Sequence, residues 1–247
     1  MIVNFIWSLV ASIIVSAISL IGIFSLLLKE NLLDEILFLL IGFSAGGLIG
    51  GAFLHLLPET IEKTQNSIIF IYLILGFIFF FILERYLYWR HCHKEGGCDI
   101  HAFSYLNLIG DGIHNLTDGL VIGSSFMLSV HFGIITTLVI ILHEIPQEIG
   151  DFGVLVYGGF SKAKALFYNY ISSLTCILGT VIGYILSAKV SSFSIFLLPF
   201  TAGGFIYVAA CDLIPELHKE PNLKKSTFSL FAFLAGILFI ALARLLH

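Results

Sequence analysis

Long apolar runs follow one another along the chain, and their lengths predict its architecture. Six of them are close to or above the ~20 residues that a helix needs to cross a bilayer core. They cover residues 2–28, 36–58, 64–83, 165–188, 190–211 and 226–243. The stretch from Ala102 to Phe160 is also mostly apolar, and its 59 residues suffice for two helices with a turn near residues 129–133. We therefore expect eight spans.

The composition also predicts that most of the chain lies in a lipid bilayer. The 247 residues are 58% hydrophobic and 11% charged, with a mean hydropathy of +1.03, which is more apolar surface than a soluble domain of this size can bury. The first run has no charged leader and no A-x-A cleavage site, so it predicts a retained span rather than a signal peptide. The expected fold class is all-α integral membrane.

The basic residues between the runs predict the orientation. If the N-terminus lies outside the cytoplasm, nine lysines and arginines fall in inside loops and three outside, as the positive-inside rule requires. We expect a multi-pass protein of the cell membrane, inner or plasma, with both termini extracytoplasmic. No nucleic-acid partner and no nucleotide motif are predicted.

An internal repeat predicts how the spans are arranged. Residues 43–59 and 200–216 are identical at nine of 17 positions, and the five crossings between them make the two copies antiparallel. Inverted repeats are typical of secondary transporters with a site near the membrane midplane; small residues at helix contacts are the alternative explanation. We expect a three-two-three arrangement in one transmembrane domain, 1–247: first repeat 2–90, cytoplasmic loop 91–103, central helix pair 104–158 and second repeat 164–246.

Polar residues concentrate in the two central spans. His114 and Asp118 are four residues apart and so share a helix face, with Asn115 beside them. In the next span, His143 and Gln147 form one stripe and Glu144 lies on a neighbouring one. Ionisable groups at membrane depth cost several kcal/mol unless they are paired or bind a cation. Imidazole and carboxylate are ordinary zinc ligands, so these spans predict a metal site; structural histidine–carboxylate hydrogen bonds are the alternative.

Further polar residues are weaker candidates for the same site. His55 ends the first copy of the repeat and is either an extra ligand or a helix-end histidine, and its counterpart in the second copy is Asp212. The remaining candidates are Asp111, Glu148, Asp151 and Asn169.

The loop between the third and fourth spans holds a separate cluster of metal-binding residue types. It contains His91, Cys92, His93, Cys98 and His101, which suit a transient zinc or copper(I) site. A basic loop that only sets the topology explains the same residues equally well.

Two motifs carry a resemblance to a known family that covers essentially the whole chain. Residues 114–119 read H-N-L-T-D-G, and residues 143–151 read H-E-I-P-Q-E-I-G-D. In these motifs the chain resembles the ZIP (Zrt/Irt-like) family of divalent-metal transporters. The resemblance implies eight spans, inverted halves, outward termini and a two-metal site. The departure is Gln147, where the most similar subfamily usually has histidine, and glutamine is the weaker zinc ligand.

The resemblance also implies site residues. It would place His114, Asp118, His143, Gln147 and His55 around one metal, and Asn115, Glu144 and Gln147 at a second. The expected cargo is Zn²⁺, with Fe²⁺, Mn²⁺ and Cd²⁺ as further candidates, and a homodimer is left open.

Three functions compete at this point. The leading hypothesis is a secondary transporter, not an enzyme, that moves zinc toward the cytoplasm. An intramembrane metal hydrolase would use His143 and Glu144, but it would also need histidine at 147 and an unkinked helix. A metal sensor or receptor that uses the 91–101 loop is the third.

Overall fold

Long helices account for almost all of the residues that the computed structural model describes, namely 2–25, 30–89, 100–190 and 192–245, and no strand occurs among them. In chain order the helices are α1 (Ile2–Ile18, continued by a 3-10 turn Ser19–Ile21 and a short helix Gly22–Ser25), α2 (Glu30–Gly50, a π-helical turn Gly51–Leu56, then Leu57–Thr64), α3 (Ile68–Trp89), α4 (Ile100–Leu128), α5 (Val130–Tyr157), α6 (Lys162–Ser173 and Thr175–Lys189), α7 (Phe193–Tyr207, a π-helical turn Val208–Leu213, then Ile214–His218) and α8 (Leu223–Leu245). The predicted eight helices are confirmed within the described residues.

The polarity of the bundle is that of a membrane protein. Large apolar side chains such as Phe70 on α3 and Phe231 on α8 are exposed, whereas Glu144 and Glu148 on α5 are fully buried. By length and composition, seven of the eight helices formed by the described residues could cross a membrane. The exception is α4, which is 29 residues long and carries four polar candidates near its centre. The all-α integral membrane class is confirmed.

Glycines bring the helices of the two halves into close contact in two matching pairs. A side chain at Gly46 on α2 would overlap the backbone of Phe233 on α8, and one at Gly203 on α7 would overlap the backbone of Leu73 on α3. Gly46 and Gly203 are 157 residues apart, which is the offset of the sequence repeat. The α2–α8 pair therefore corresponds to the α7–α3 pair.

The order of the contacts gives the directions of the helices. Gly47 on α2 lies against Leu142 on α5, and Gly51, four residues later on α2, lies against Val139, three residues earlier on α5. The two helices are therefore antiparallel. Helix α5 is also antiparallel to α4, since the turn between them is a single residue, Ser129. Helix α2 is therefore parallel to α4.

Helix α7 runs the other way. Its Ser194 contacts Ser124 on α4. Ten residues later on α7, Gly204 packs against Phe80, and the ring of Phe80 contacts His114, which is ten residues earlier on α4. The direction of α7 is therefore opposite to that of α4. The two copies of the repeat are therefore antiparallel, as expected. The exact boundaries of the two repeat units stay a prediction.

A matching π-helical turn interrupts both copies. In α2 the N–H of Leu57 bonds the carbonyl of Ala52, and in α7 the N–H of Ile214 bonds the carbonyl of Ala209. The two donors are 157 positions apart in the sequence, and so are the two acceptors. A proline lies two positions after the last residue of each turn, Pro58 or Pro215, and proline cannot continue the regular ladder because it has no N–H. The turns place His55 in α2 and Asp212 in α7.

Both ends of the described chain lie on one face of the bundle. Asn4 near the start of α1 bonds the carbonyl of Phe126 near the end of α4, and Arg244 near the end of α8 bonds the carbonyl of Leu54 late in α2. We call this side the terminal face. His55 is near it, whereas Asp212 is near the opposite face.

Candidate metal centre

Four buried side chains from the central helices converge at mid-depth. His114 is the middle residue of α4 and His143 lies at the middle of α5. Asp118 follows His114 by one helical turn, and Glu144 follows His143 directly. One nitrogen or oxygen atom of each of these four residues lies within 4.8 Å of every other. We call them the four-residue group.

Distances within the group match those around a tetrahedral zinc ion. The Nε2 atom of His143 lies 3.1 Å from Asp118 Oδ2, 3.2 Å from His114 Nε2 and 3.8 Å from Glu144 Oε1. The Nε2 atom of His114 lies 3.5 Å from Glu144 Oε1 and 3.7 Å from Asp118 Oδ2. Ligands about 2.0–2.2 Å from zinc in a tetrahedron stand roughly 3.3 Å apart. The side chains need little rearrangement to bind such an ion.

A backbone contact aims His143 at the group. Its Nδ1 lies 3.1 Å from the carbonyl oxygen of Val139, which can only accept a hydrogen bond, so Nδ1 carries the proton. When an ion is bound, this leaves the lone pair of Nε2 for the ion, on the side of the ring that faces His114 and Asp118. Metal-binding histidines commonly use this arrangement, in which a carbonyl fixes the tautomer and the orientation of the ring.

Glu144 supplies the strongest physical reason for a cation. The side chain is fully buried, and neither carboxylate oxygen has a hydrogen-bond partner among the described residues. A buried carboxylate without hydrogen bonds costs several kcal/mol, which the imidazoles of His114 and His143, at 3.5 and 3.8 Å, offset only when protonated. A divalent ion within the four-residue group would offset that cost.

Aromatic rings pack against both histidines of the group. The ring of Phe80 on α3 meets His114 edge-on at 5.8 Å between centroids, and Phe205 on α7 meets His143 at 5.4 Å. The two aromatic residues belong to different halves of the chain. Both halves therefore enclose the group that the central helices supply.

Other predicted residues lie beside the group. Asn115 is fully buried and donates from Nδ2 to Asp111 Oδ1 at 2.8 Å, while its own Oδ1 has no hydrogen-bond partner among the described residues. That oxygen could still bind a second ion. Gln147 lies one turn beyond His143 on α5 and is only partly buried.

Towards the face opposite the termini, a second set of polar residues continues from the group. Asn169 on α6 donates to Glu148 Oε2, and Asn107 donates to Asp151 Oδ1 at 2.9 Å. Asp111 completes this set, which we call the acidic set: Asp111, Glu148 and Asp151. Each of its three carboxylates has one buried oxygen without a hydrogen-bond partner among the described residues.

The structure places His55 apart from the four-residue group. Its ring stacks on Phe132 at 4.0 Å between centroids, and its Nε2 lies 2.9 Å from Thr136 Oγ1. Thr136 precedes His143 by seven residues, roughly 10 Å along the helix. His55 therefore lies on the terminal side of the group and does not contact it.

Asp212 is also apart, on an exposed stretch of the π-helical turn of α7. Four of the loop residues, His91, Cys92, His93 and Cys98, lie outside the described residues, and only the backbone of His101 belongs to them. Their metal-binding role stays a prediction.

Two polar residues beside the candidates were not predicted. Thr136 fixes His55, and its signal in the sequence is a seven-residue spacing before His143, which puts both on one face of α5. Asn107 fixes Asp151 in the same way, seven residues before His114 on α4.

Fold and site together define the class of this protein: a polytopic helical membrane protein with a buried set of side chains at mid-depth whose types and spacing suit a divalent metal ion. Comparison with known proteins then gives the family. The model of the ZIP Zinc transporter family matches residues 5–98 and 89–244, so the chain belongs to that family.

Named relatives agree with the family. The chain is 33% identical over 240 residues to "Zinc transporter zipt-7.1" of Caenorhabditis briggsae, covering 72% of this chain and 61% of that protein. It is 34% identical to "Zinc transporter ZIP13" of Pongo abelii, covering 82% of this chain and 65% of the relative. It is 37% identical to "Zinc transporter SLC39A7" of Homo sapiens over 60% of this chain and 33% of the relative. The matches thus span less than two thirds of each of these three relatives.

Proposed function

We propose that this protein is a secondary transporter of divalent metal ions, with zinc as its main cargo, and that the ion passes through the four-residue group. The observation that carries the proposal is the set of distances within that group, which fit a tetrahedral ion at mid-depth. Family membership and the names of the relatives support the same cargo. Fe²⁺, Mn²⁺ and Cd²⁺ are further candidate cargoes, because imidazole and carboxylate also bind them.

The polar residues on either side of the group suggest the path. We propose that His55 binds the ion on the terminal side and that the acidic set receives it on the other side, with Asn115, Glu144 and Gln147 able to hold a second ion. The orphaned oxygens of the acidic set support this order, since each can bind a cation at no loss of an existing hydrogen bond. Asp212, near the opposite face, would be the last carboxylate on this path.

Orientation follows from the loop charges. We propose that the terminal face is extracytoplasmic in the cell membrane, so that zinc moves toward the cytoplasm; the nine basic residues of the inside loops support this orientation. The antiparallel halves, residues 2–90 and 164–246, would rearrange around the central pair 104–158 to expose the group to each side in turn. A homodimer stays a prediction, which the mass of the purified protein in lipid nanodiscs would check.

Zinc uptake into proteoliposomes tests the proposal. The wild type should take up zinc well above empty vesicles, and His143→Ala should lose nearly all of it because the variant lacks a ligand whose orientation the backbone fixes. His218→Ala, at the exposed end of α7 and outside the group, is the matched control and should transport normally. Absence of uptake of zinc, cadmium, iron and manganese by the wild type would refute transport. Uptake that survives in His143→Ala would refute the site.

A further inference from the structure

The guanidinium of Arg244 binds a backbone carbonyl of α2 next to its π-helical turn. Its Nη1 donates to the carbonyl oxygen of Leu54 at 2.6 Å, and its Nη2 lies 3.3 Å from Glu62 Oε1. Leu54 precedes Pro58 by four residues, so in an α-helix the N–H of residue 58 would bond this carbonyl. Proline has no N–H to give. Arg244 on α8 thus supplies the donor that the sequence of α2 omits.

His55 follows Leu54 directly and depends on the same turn. A π-helical turn holds about one residue more than an α-helical turn, so it rotates the flanking side chains by about 100° relative to a regular helix. In this orientation His55 stacks on Phe132 and contacts Thr136 on α5. If the turn reverted to a regular α-helix, the imidazole would point away from α5.

The second half of the molecule has the turn without the guanidinium. Contacts of Gly76 with Phe200 and of Gly236 with Phe43 place α3 and α8 in correspondence at an offset of 160. The residue that corresponds to Arg244 is therefore Glu84. It accepts a hydrogen bond from the hydroxyl of Tyr207. Among the described residues, the bond from an arginine to the π-helical turn therefore occurs in the half that carries His55.

The ion pair with Glu62 does not explain why the arginine is there. The side chain of Glu62 is 69% exposed, and exposed ion pairs contribute little to stability. A charged donor on a helix carbonyl that Pro58 cannot serve is the stronger interaction. The bond to Leu54 is therefore the contact with a structural consequence.

We propose that Arg244 is a positioning residue for metal transport, which holds the π-helical turn of α2 so that His55 faces α5. The part of this proposal that concerns transport rests on the proposed function, because it requires the ion to pass His55. The part that concerns the orientation of His55 does not.

Uptake kinetics of full-length variants in proteoliposomes test the transport part. Arg244→Ala should raise the zinc concentration for half-maximal uptake about tenfold, with the maximal rate largely retained. His55→Ala should have a similar effect, and adding Arg244→Ala to it should change nothing further. Pro58→Ala in the Arg244→Ala background should restore uptake, because the N–H of alanine can bond Leu54 while the bond from Leu57 to Ala52 keeps the turn π-helical. Glu62→Gln, which weakens only the exposed ion pair, is the control and should behave as wild type.

The imidazole NMR signal of His55 tests the orientation part directly, in protein labelled with ¹⁵N-histidine and assigned by its loss in His55→Ala. Arg244→Ala should shift this signal, and Pro58→Ala in the same background should move it back. An unchanged signal overturns the proposal, and so does an effect of Arg244→Ala on uptake that adds to that of His55→Ala. If the wild type takes up no metal, the proposed function fails, and the NMR signal alone decides on Arg244.

Discussion

Ser16 on α1 and Ser173 on α6 contact each other reciprocally across the bundle. The Oγ of Ser16 donates to the carbonyl oxygen of Ser173 at 2.9 Å, and the Oγ of Ser173 lies 3.0 Å from the carbonyl oxygen of Ser16. The two residues are 157 positions apart, the same offset that relates the two copies of the sequence repeat. A reciprocal contact of this kind is expected where two equivalent positions meet on a twofold axis. The internal symmetry therefore reaches the first helix of each half, beyond the repeated segments 43–59 and 200–216.

Neutralising Glu144 should separate metal binding from stability. In Glu144→Gln the carboxylate becomes an amide of nearly the same shape. Without metal, the variant should be as stable as wild type or up to about 2 kcal/mol more stable, because a buried carboxylate that accepts no hydrogen bond is gone. With zinc, the rise in Tm should be much smaller than in wild type. Thermal unfolding in detergent with and without zinc measures both; a full zinc-induced rise would argue against Glu144 as a ligand.

Gln147→His should tighten zinc binding. The side chain lies one turn beyond His143, and imidazole is a better zinc ligand than a carboxamide. We expect about a tenfold fall in Kd by calorimetry, with slower release during transport. Gln147→Leu serves as the control for size and should not gain affinity. Weaker zinc binding in Gln147→His would place residue 147 away from the ion.

Acidification should weaken zinc binding with a defined steepness. Two imidazoles and two carboxylates of the four-residue group must be free of protons at the atoms that bind the ion, so binding releases protons and affinity falls as the pH falls. The logarithm of the affinity should fall by up to about two per pH unit, one for each imidazole that must give up a proton to bind the ion. His114→Ala should bind more weakly and with a shallower slope. An affinity that is independent of pH would contradict binding through the histidines.

Gly46→Ala should destabilise the protein, because a methyl group there would overlap the carbonyl of Phe233 on α8. The neighbour is backbone and cannot move aside, so we expect a loss of about 1–3 kcal/mol. Gly150→Ala on α5 is the matched control: a Cβ there meets nothing within 4 Å, and its Tm should stay near that of wild type. Equal Tm values for the two variants would contradict the close α2–α8 contact.

The sequence predicted the helices well because the bilayer restricts the choices. Membrane spans must be long and apolar, so the apolar runs in the sequence alone predict their number and approximate limits. The meeting of His114, Asp118, His143 and Glu144 was also predictable, since each pair is fixed by spacing on one helix and the two helices are joined by one residue.

The rest depends on how helices distant in sequence rotate against each other. His55 was expected to surround the same ion as His143, but the π-helical turn directs its ring to Phe132 and Thr136 instead. No local pattern announces that turn, although Pro58 marks its end. The bond from Arg244 to Leu54 joins residues 190 positions apart and has no signature in either segment.

The polarity of α4 has a consequence for how the protein is made. Its seven companions are apolar enough to enter a membrane individually, but α4 carries Asp111, His114, Asn115 and Asp118 within two turns or so of its centre. During synthesis we expect α4 to enter the membrane only after α5 has been made, because the histidine and carboxylates of α5 can pair with the polar residues of α4 and lower the free-energy cost of removing them from water. The two central helices would then enter the lipid as a pair, and the four-residue group would be assembled before the second half of the chain exists.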